Sequence, residues 1–126
     1  MRFLLISTGG AIGALLRYAV GGWAQRLSAT GAFPMGTLVV NVTGCLAIGL
    51  IVELAESRGA VSPEARTFLV IGVLGAYTTF SAFANESLNL ARAGNVWLAW
   101  VNIMGSVLAG LFAVWAGRAL AHAIWR

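Results

Sequence analysis

The segment GVLGAYTTFSAF, residues 72–83, decides how this chain folds. It carries no charge and lies within an apolar stretch that continues to about residue 90. Its two glycines and the adjacent β-branched pair Thr78-Thr79 disfavour a continuous α-helix. Where such a stretch crosses a bilayer, the carbonyls released by an interruption must be buried or must bind something. The segment therefore predicts a membrane helix that is broken at the bilayer midplane.

The composition around this segment is that of a membrane protein. Of the 126 residues, 60% are hydrophobic and 10% are charged, and the mean hydropathy is +0.87. Soluble domains are about 45–50% apolar and about 25% charged. The charged residues are eight arginines and four glutamates, with no lysine or aspartate. This is too little charge to solvate a globular surface, so we predict an integral membrane protein.

Four apolar stretches are each long enough to cross a bilayer as a helix. Together they predict an all-α membrane protein with four transmembrane helices in one domain, residues 1–126. The run Ser62-Pro63-Glu64 is typical of a helix start, with serine as the N-cap. A signal peptide is the competing interpretation of the first stretch, but the apolar run resumes beyond Arg17 and is longer than a signal peptide needs. The predicted spans are residues 3–25, 35–56, 67–91 and 95–117.

The arginines indicate how the chain is oriented. With four spans, both termini and the middle loop share one side, and the side richer in arginine tends to be cytoplasmic. Five arginines against two or three favour cytoplasmic termini by a modest margin, which leaves insertion in both orientations open. The side of the termini carries Arg2, Arg58, Arg66, Arg118 and Arg126, and the other side carries Arg26, Arg92 and, near a helix end, Arg17.

The rest of the composition excludes several classes of function. One histidine (His122), one cysteine (Cys45) and no aspartate exclude a Ser-His-Asp triad, a thiol–metal cluster and a disulfide within one chain. Adjacent arginines do not occur, so a nucleic-acid partner is not indicated. We predict that the protein is not an enzyme.

Several polar side chains fall inside the apolar stretches. Polar groups at bilayer depth mark helix interfaces or solute pathways. For the hydroxyls of Thr78, Thr79 and Ser81, hydrogen bonding between helices is the favoured interpretation. For Asn41, structure and function are equally favoured, and Asn102 and Ser106 lie one turn apart on one face of the fourth span. Glu86, the only acid well inside a span, either pairs with Arg17 or lies at the interface.

Small residues recur at helical spacing, as in GGAIG, residues 9–13. Small residues one turn apart let helices approach closely in lipid. Packing within one chain explains most of them. Four short helices do not easily enclose a polar path, however, so we infer a homo-oligomer with the path at its interfaces.

Three motifs together resemble the fluoride ion channel family (CrcB/Fluc). They are GxxTTFSxF at 75–83, GTLxxN at 36–41 and GGxxG at 9–13, and the similarity extends over the whole chain. The chain departs from the family pattern at Ala76, which replaces a glycine, and at Tyr77, which replaces a common leucine. Ala82 and Ala84 replace hydroxyl residues.

The resemblance implies an antiparallel, dual-topology homodimer in the cell (inner) membrane, with two fluoride pores at the dimer interface and a central structural sodium ion. It implies that passive efflux through the pores lowers cytoplasmic fluoride. By the same resemblance, the backbone carbonyls of Gly75 and Thr78 from both subunits would hold Na⁺, and Arg17 would lie in the vestibule. Asn41 would donate an amide N–H to fluoride, and Phe80 and Phe83 would present their ring edges. The implied fluoride pathway comprises Thr37, Asn41, Phe80, Ser81, Phe83, Asn102 and Ser106.

Two other functions remain open. A small proton-coupled multidrug exporter needs a membrane-embedded acid, for which Glu86 is the sole candidate. A non-conducting membrane subunit would use the polar residues for structure alone. Loss of ion flux on replacing Phe80 or Phe83 separates a channel from such a subunit.

Overall fold

The computed structural model describes residues 1–28 and 31–124, apart from the side chains of Ser57 and Arg58. Arg126 and the Arg58 side chain, both used in the arginine count, therefore lie outside the described residues. Throughout the described part, the regular elements are helices. They are α1 (Arg2–Arg26), α2 (Met35–Arg58), α3 (Pro63–Arg66), a π-helical segment (Thr67–Leu74), α4 (Gly75–Tyr77), α5 (Phe80–Arg92) and α6 (Val96–Ile124).

Within the described residues, four helical stretches are long and apolar enough to cross a membrane, which confirms the prediction of four spans. Many apolar side chains of α1 and α6 are exposed on the single chain, as those of Leu15, Leu111 and Phe112 are. An apolar surface this extensive is typical of a protein that contacts lipid. The spans are Arg2–Arg26, Met35–Glu56, Pro63–Arg92 and Val96–Ile124.

Glycines bring the helices into close contact within one chain. On α1, a Cβ at Gly9 would lie 2.7 Å from the Phe68 carbonyl oxygen of the π-helical segment, and one at Gly13 would strike the Val73 carbonyl. Between α2 and α6, a Cβ at Gly117 would strike the carbonyl of Leu46. The predicted close approach of small residues is confirmed, and it serves packing inside the chain.

Local hydrogen bonds fix where two of the helices begin. Ser62 Oγ accepts from the Ala65 amide at 3.1 Å, with Pro63 at the first helical position, as predicted. At the start of α2, the Gly36 amide donates to Gln25 Oε1 at 3.0 Å. Gln25 Nε2 in turn donates to the Phe33 carbonyl at 3.0 Å. The end of α1 thus positions the beginning of α2.

Two extended residues separate α4 from α5 in the third span. Thr78 has φ −81° and ψ 158°, and Thr79 has φ −151° and ψ 113°. Thr79 is the N-cap of α5, because its hydroxyl accepts from the Ala82 amide at 3.2 Å. Just before this point, Leu74 and Tyr77 pack with Val40 of α2 in the buried core. The interruption is thus anchored to α2.

Helix α6 continues beyond residue 117, where the predicted fourth span ends, to Ile124. Its extension carries Arg118, which forms ion pairs with Glu53 at 3.2 Å and Glu56 at 3.5 Å on α2. The side chains at this end of α2 and α6 are charged, as expected outside the hydrocarbon core.

Candidate ion-conducting site

The side-chain amide of Asn41 pairs with the backbone of Thr79, in the extended stretch between α4 and α5. Asn41 Oδ1 accepts from the Thr79 amide at 2.8 Å, and Asn41 Nδ2 donates to the Thr79 carbonyl at 3.0 Å. The side chain therefore satisfies both backbone polar groups of Thr79. Buried backbone groups without such partners are costly in a membrane.

Two hydrogen bonds at Thr79, one to Asn41 and one to the Ala82 amide, remove helical donors from two carbonyls. In a continuous α-helix each N–H donates to the carbonyl four residues earlier, so Thr79 would donate to Gly75 and Ala82 to Thr78. Here the Thr79 amide donates to Asn41, and the Ala82 amide donates to the Thr79 hydroxyl. The Gly75 and Thr78 carbonyls therefore lack these two helical donors.

Carbonyl oxygens are suitable ligands for a hard cation, and released carbonyls at interrupted membrane helices commonly bind sodium. Among the described residues, no group of three or more His, Cys, Asp or Glu side chains could hold a metal. The backbone carbonyls of Gly75 and Thr78, which lack their helical donors, are oxygen groups of the kind that fits Na⁺.

Arg17 of α1 binds the last but one carbonyl of α4, shortly before the interruption. Its Nε donates to the Ala76 carbonyl at 2.8 Å, and its Nη2 donates to the same oxygen. Ala76 lies near the carboxyl end of a helix, where the partial charge is negative and an arginine is favourable. The sequence allows Glu86 as a partner for Arg17. In the structure, Glu86 Oε1 instead accepts a hydrogen bond from the Thr37 hydroxyl at 2.7 Å.

Two cavities meet at Thr79. An open cavity of about 520 Å³ is lined by Arg17, Thr37 and Glu86. A second cavity, of about 320 Å³, is also lined by Thr79 and contains four predicted site residues. The four are Asn41, Gly75, Thr78 and Phe80.

The two predicted aromatic residues are neighbours at the start of α5. The ring centroids of Phe80 and Phe83 lie 5.6 Å apart, with ring planes inclined at 50°. Phe80 is 78% exposed on the single chain. Ser81, also exposed, lies between them, with its hydroxyl 3.3 Å from that of Thr79. The start of α5 thus presents aromatic and hydroxyl groups on an open surface.

Asn102 and Ser106 lie apart from both cavities, between α5 and α6. Asn102 is 2% exposed and donates from Nδ2 to Ser87 Oγ at 2.9 Å. Ser106 Oγ is 3.4 Å from Asn102 Oδ1, and Ser87 Oγ donates to the Phe83 carbonyl at 2.8 Å. A chain of polar groups therefore connects Ser106 to the backbone of Phe83.

Besides the Asn41–Thr79 and Arg17–Ala76 bonds, sequence reasoning missed three further features of the site. The role of Thr79 as an N-cap had a local signal, since threonine is favoured immediately before a helix. The hydrogen bond between Thr37 and Glu86 had no local signal in the sequence, because the two residues are 49 positions apart. The buried Ser87 was not singled out, although serine commonly bonds the carbonyl one helical turn earlier.

Comparison with known proteins gives matches over nearly the whole chain. The family model described as CrcB-like protein, Camphor Resistance (CrcB), matches residues 4–118. A fluoride-specific ion channel of Solibacter usitatus is 48% identical over 123 residues, covering 97% of this chain and 99% of the relative. The channel of the same name in Agrobacterium fabrum is 47% identical over 116 residues, 92% of each chain. A fluoride-specific ion channel of Methanosarcina acetivorans is 45% identical, covering 91% of this chain and 86% of the relative. The resemblance seen in the three motifs is confirmed, and this chain belongs to the CrcB family.

Proposed function

We propose that this chain is a fluoride-selective ion channel, a multi-pass protein of the cell membrane that lets fluoride leave the cytoplasm passively. Its close relatives carry the name fluoride-specific ion channel. The observation that carries the proposal within the molecule is the Asn41–Thr79 pair, which places an amide donor beside Phe80 at the start of α5.

The chemistry at this point suits a small anion. Fluoride is strongly hydrated, so a pore must replace its water with donors along the path. Asn41 Nδ2 carries two hydrogens, of which Thr79 takes one, and the other is a donor for fluoride. The edges of Phe80 and Phe83 carry partial positive charge without the strong binding of a cationic side chain. The N-terminus of α5 adds a positive dipole end.

The remaining polar residues extend this path. We assign Thr37, Ser81, Asn102 and Ser106 to its lining on the family resemblance; Thr37 lines the open cavity, and Asn102 and Ser106 connect through Ser87 to the backbone of Phe83. Arg17 lines the open cavity and supplies a positive charge that draws anions toward it. We assign this cavity as the vestibule.

A second copy of the chain completes the cation site. On the single chain Gly75 is exposed and Thr78 is half-buried, so their carbonyls lie near a surface that another subunit can cover. Two carbonyls are an incomplete shell for Na⁺, and two from each of two subunits supply four. When bound, the cation supplies a fixed positive charge between the fluoride paths.

Symmetry requires the shared site to lie at the bilayer midplane. In an antiparallel dimer the two-fold axis lies in the membrane plane, so a residue meets its own copy only at mid-depth. The third span runs from Pro63 to Arg92, 30 residues, and Thr78 is the sixteenth of them. The broken third helix is thus suited to an antiparallel, dual-topology homodimer with two pores and one sodium ion.

Fluoride efflux from proteoliposomes tests the function. A fluoride electrode records release after a potassium ionophore is added, with chloride release measured in parallel. We expect rapid fluoride release without chloride release. Absence of release from folded protein supports a non-conducting membrane subunit, and proton-driven transport of a cationic drug supports a small exporter.

A further inference from the structure

We propose that Asn41 is a positioning residue for the cation site as well as a fluoride donor, so that one amide connects the two sites. This inference rests on the proposed function, because it concerns the sodium ion and fluoride path proposed above. Its geometric basis is the two-bond pairing of Asn41 with Thr79 at 2.8 and 3.0 Å.

Asn41 competes with Gly75 for the same hydrogen-bond donor. If the helix continued through Thr78 and Thr79, the Thr79 amide would donate to the Gly75 carbonyl. Asn41 Oδ1 accepts that hydrogen instead, and this leaves the Gly75 carbonyl available to Na⁺. The side chain does not touch the cation in this scheme. It acts by keeping the backbone of Thr79 extended.

The packing of α2 holds the amide in place. Asn41 and Gly44 are three residues apart and lie on the same face of α2. A Cβ at Gly44 would strike Cγ2 of Thr78, so the glycine lets the extended stretch lie directly against α2. The neighbouring Val40 is buried against Leu74 and Tyr77. Contacts on each side of Asn41 thus fix its distance from Thr79.

The two roles of Asn41 use different atoms. Oδ1 and one Nδ2 hydrogen hold Thr79, and the second Nδ2 hydrogen is the proposed fluoride donor. Replacing Asn41 therefore weakens sodium binding even when fluoride is absent. A residue that only contacts fluoride would not have this effect.

The test measures sodium-dependent stability in fluoride-free solution. Full-length protein in detergent is melted in sodium chloride and in N-methylglucamine chloride, and its dimer is monitored by size-exclusion chromatography. We expect sodium to raise the melting temperature of the natural protein and to have no effect on Asn41→Leu. The matched control is Thr43→Val on the same helix. It removes a hydroxyl 2.8 Å from the Tyr77 hydroxyl and leaves the Thr79 pair intact, so it should retain the sodium effect.

If Asn41→Leu does not fold, the variant Asn41→Asp provides the test. The aspartate keeps an oxygen acceptor for the Thr79 amide but loses the donor to the Thr79 carbonyl and to fluoride, so it should retain part of the sodium effect and conduct fluoride more slowly. An unchanged sodium effect in Asn41→Leu, or its loss in Asn41→Asp, overturns the proposal. Absence of a sodium effect in the natural protein overturns the sodium site itself, whereas the fluoride assay tests the channel function separately.

Discussion

The guanidinium of Arg17 lies inside the first membrane span, where an unpaired charge is costly. Both of its described hydrogen bonds go to the Ala76 carbonyl, the last but one in α4. The family resemblance predicts an arginine in a vestibule, and in the structure Arg17 lines the open cavity. Its bond to Ala76 adds a second effect, because it secures the carboxyl end of α4 next to the proposed cation ligands. Arg17 and Asn41 thus hold the interruption from two different helices.

The aromatic residues at the start of α5 give the first prediction. Phe80→Ile or Phe83→Ile keeps apolar bulk but removes the positive ring edge. We expect fluoride release to fall to the rate of protein-free liposomes while the dimer persists in size-exclusion chromatography. Phe112→Ile is the matched control, since Phe112 is an exposed phenylalanine of α6 paired with Trp115. Unchanged fluoride release in a folded Phe80 or Phe83 variant would refute the role of the rings.

The bond between Thr37 and Glu86 gives a prediction on stability. Thr37→Val keeps the shape of the side chain but leaves Glu86 Oε1 without the donor found at 2.7 Å. A polar group that loses its partner costs about 1–3 kcal/mol. We expect Thr37→Val to melt at a lower temperature and Thr37→Ser, which keeps the hydroxyl, to recover most of the loss. Equal melting temperatures for all three proteins would show that the bond contributes nothing to stability.

At the scale of the elements, α1 packs against the π-helical segment at glycine contacts. A Cβ at Gly13 would strike the Val73 carbonyl, and backbone cannot move aside as a flexible side chain can. We expect Gly13→Ala to separate α1 from this segment and to lower both the melting temperature and fluoride release. Gly10→Ala is the matched control, because nothing lies within 4 Å of its added Cβ. Alanine favours a helix over glycine by about 1 kcal/mol, so Gly10→Ala should be at least as stable as the natural protein. A Gly13→Ala protein as stable as Gly10→Ala would contradict the packing argument.

The helices could be predicted because their signals are local. Apolar length identified four spans, and Ser62 with Pro63 marked a helix start. The π-helical segment could not be predicted, because TFLVIGVL is apolar at nearly every position and such a run has no periodicity to distinguish π from α. The pairing of Asn41 with Thr79 joins residues 38 apart, beyond any local pattern. The sodium ligands and fluoride path come from the family resemblance and stay predictions.

At the scale of the whole molecule, α6 shows how the protein sits in the bilayer. Trp97 and Trp115 are 77% and 64% exposed and are separated by 18 positions, about 27 Å along a helix. The hydrocarbon core is about 30 Å thick, and tryptophans concentrate at its two interfaces. Ser106 lies midway between them, and therefore near the midplane. The charged pairs of Arg118 with Glu53 and Glu56 lie beyond Trp115, toward water.

An antiparallel dimer requires equal numbers of chains in both orientations. The modest arginine imbalance permits this, because orientation depends on the difference in arginine between the two sides. The loops holding Ala32 and Ala60 lie at opposite ends of α2, and both residues are exposed. In a Cys45→Ser background, we expect a membrane-impermeant maleimide to label about half of an Ala32→Cys protein and about half of an Ala60→Cys protein in intact cells. Full labelling of one site with protection of the other would establish a single orientation. It would exclude the antiparallel dimer, because two parallel chains cannot place a shared site on an axis in the membrane plane.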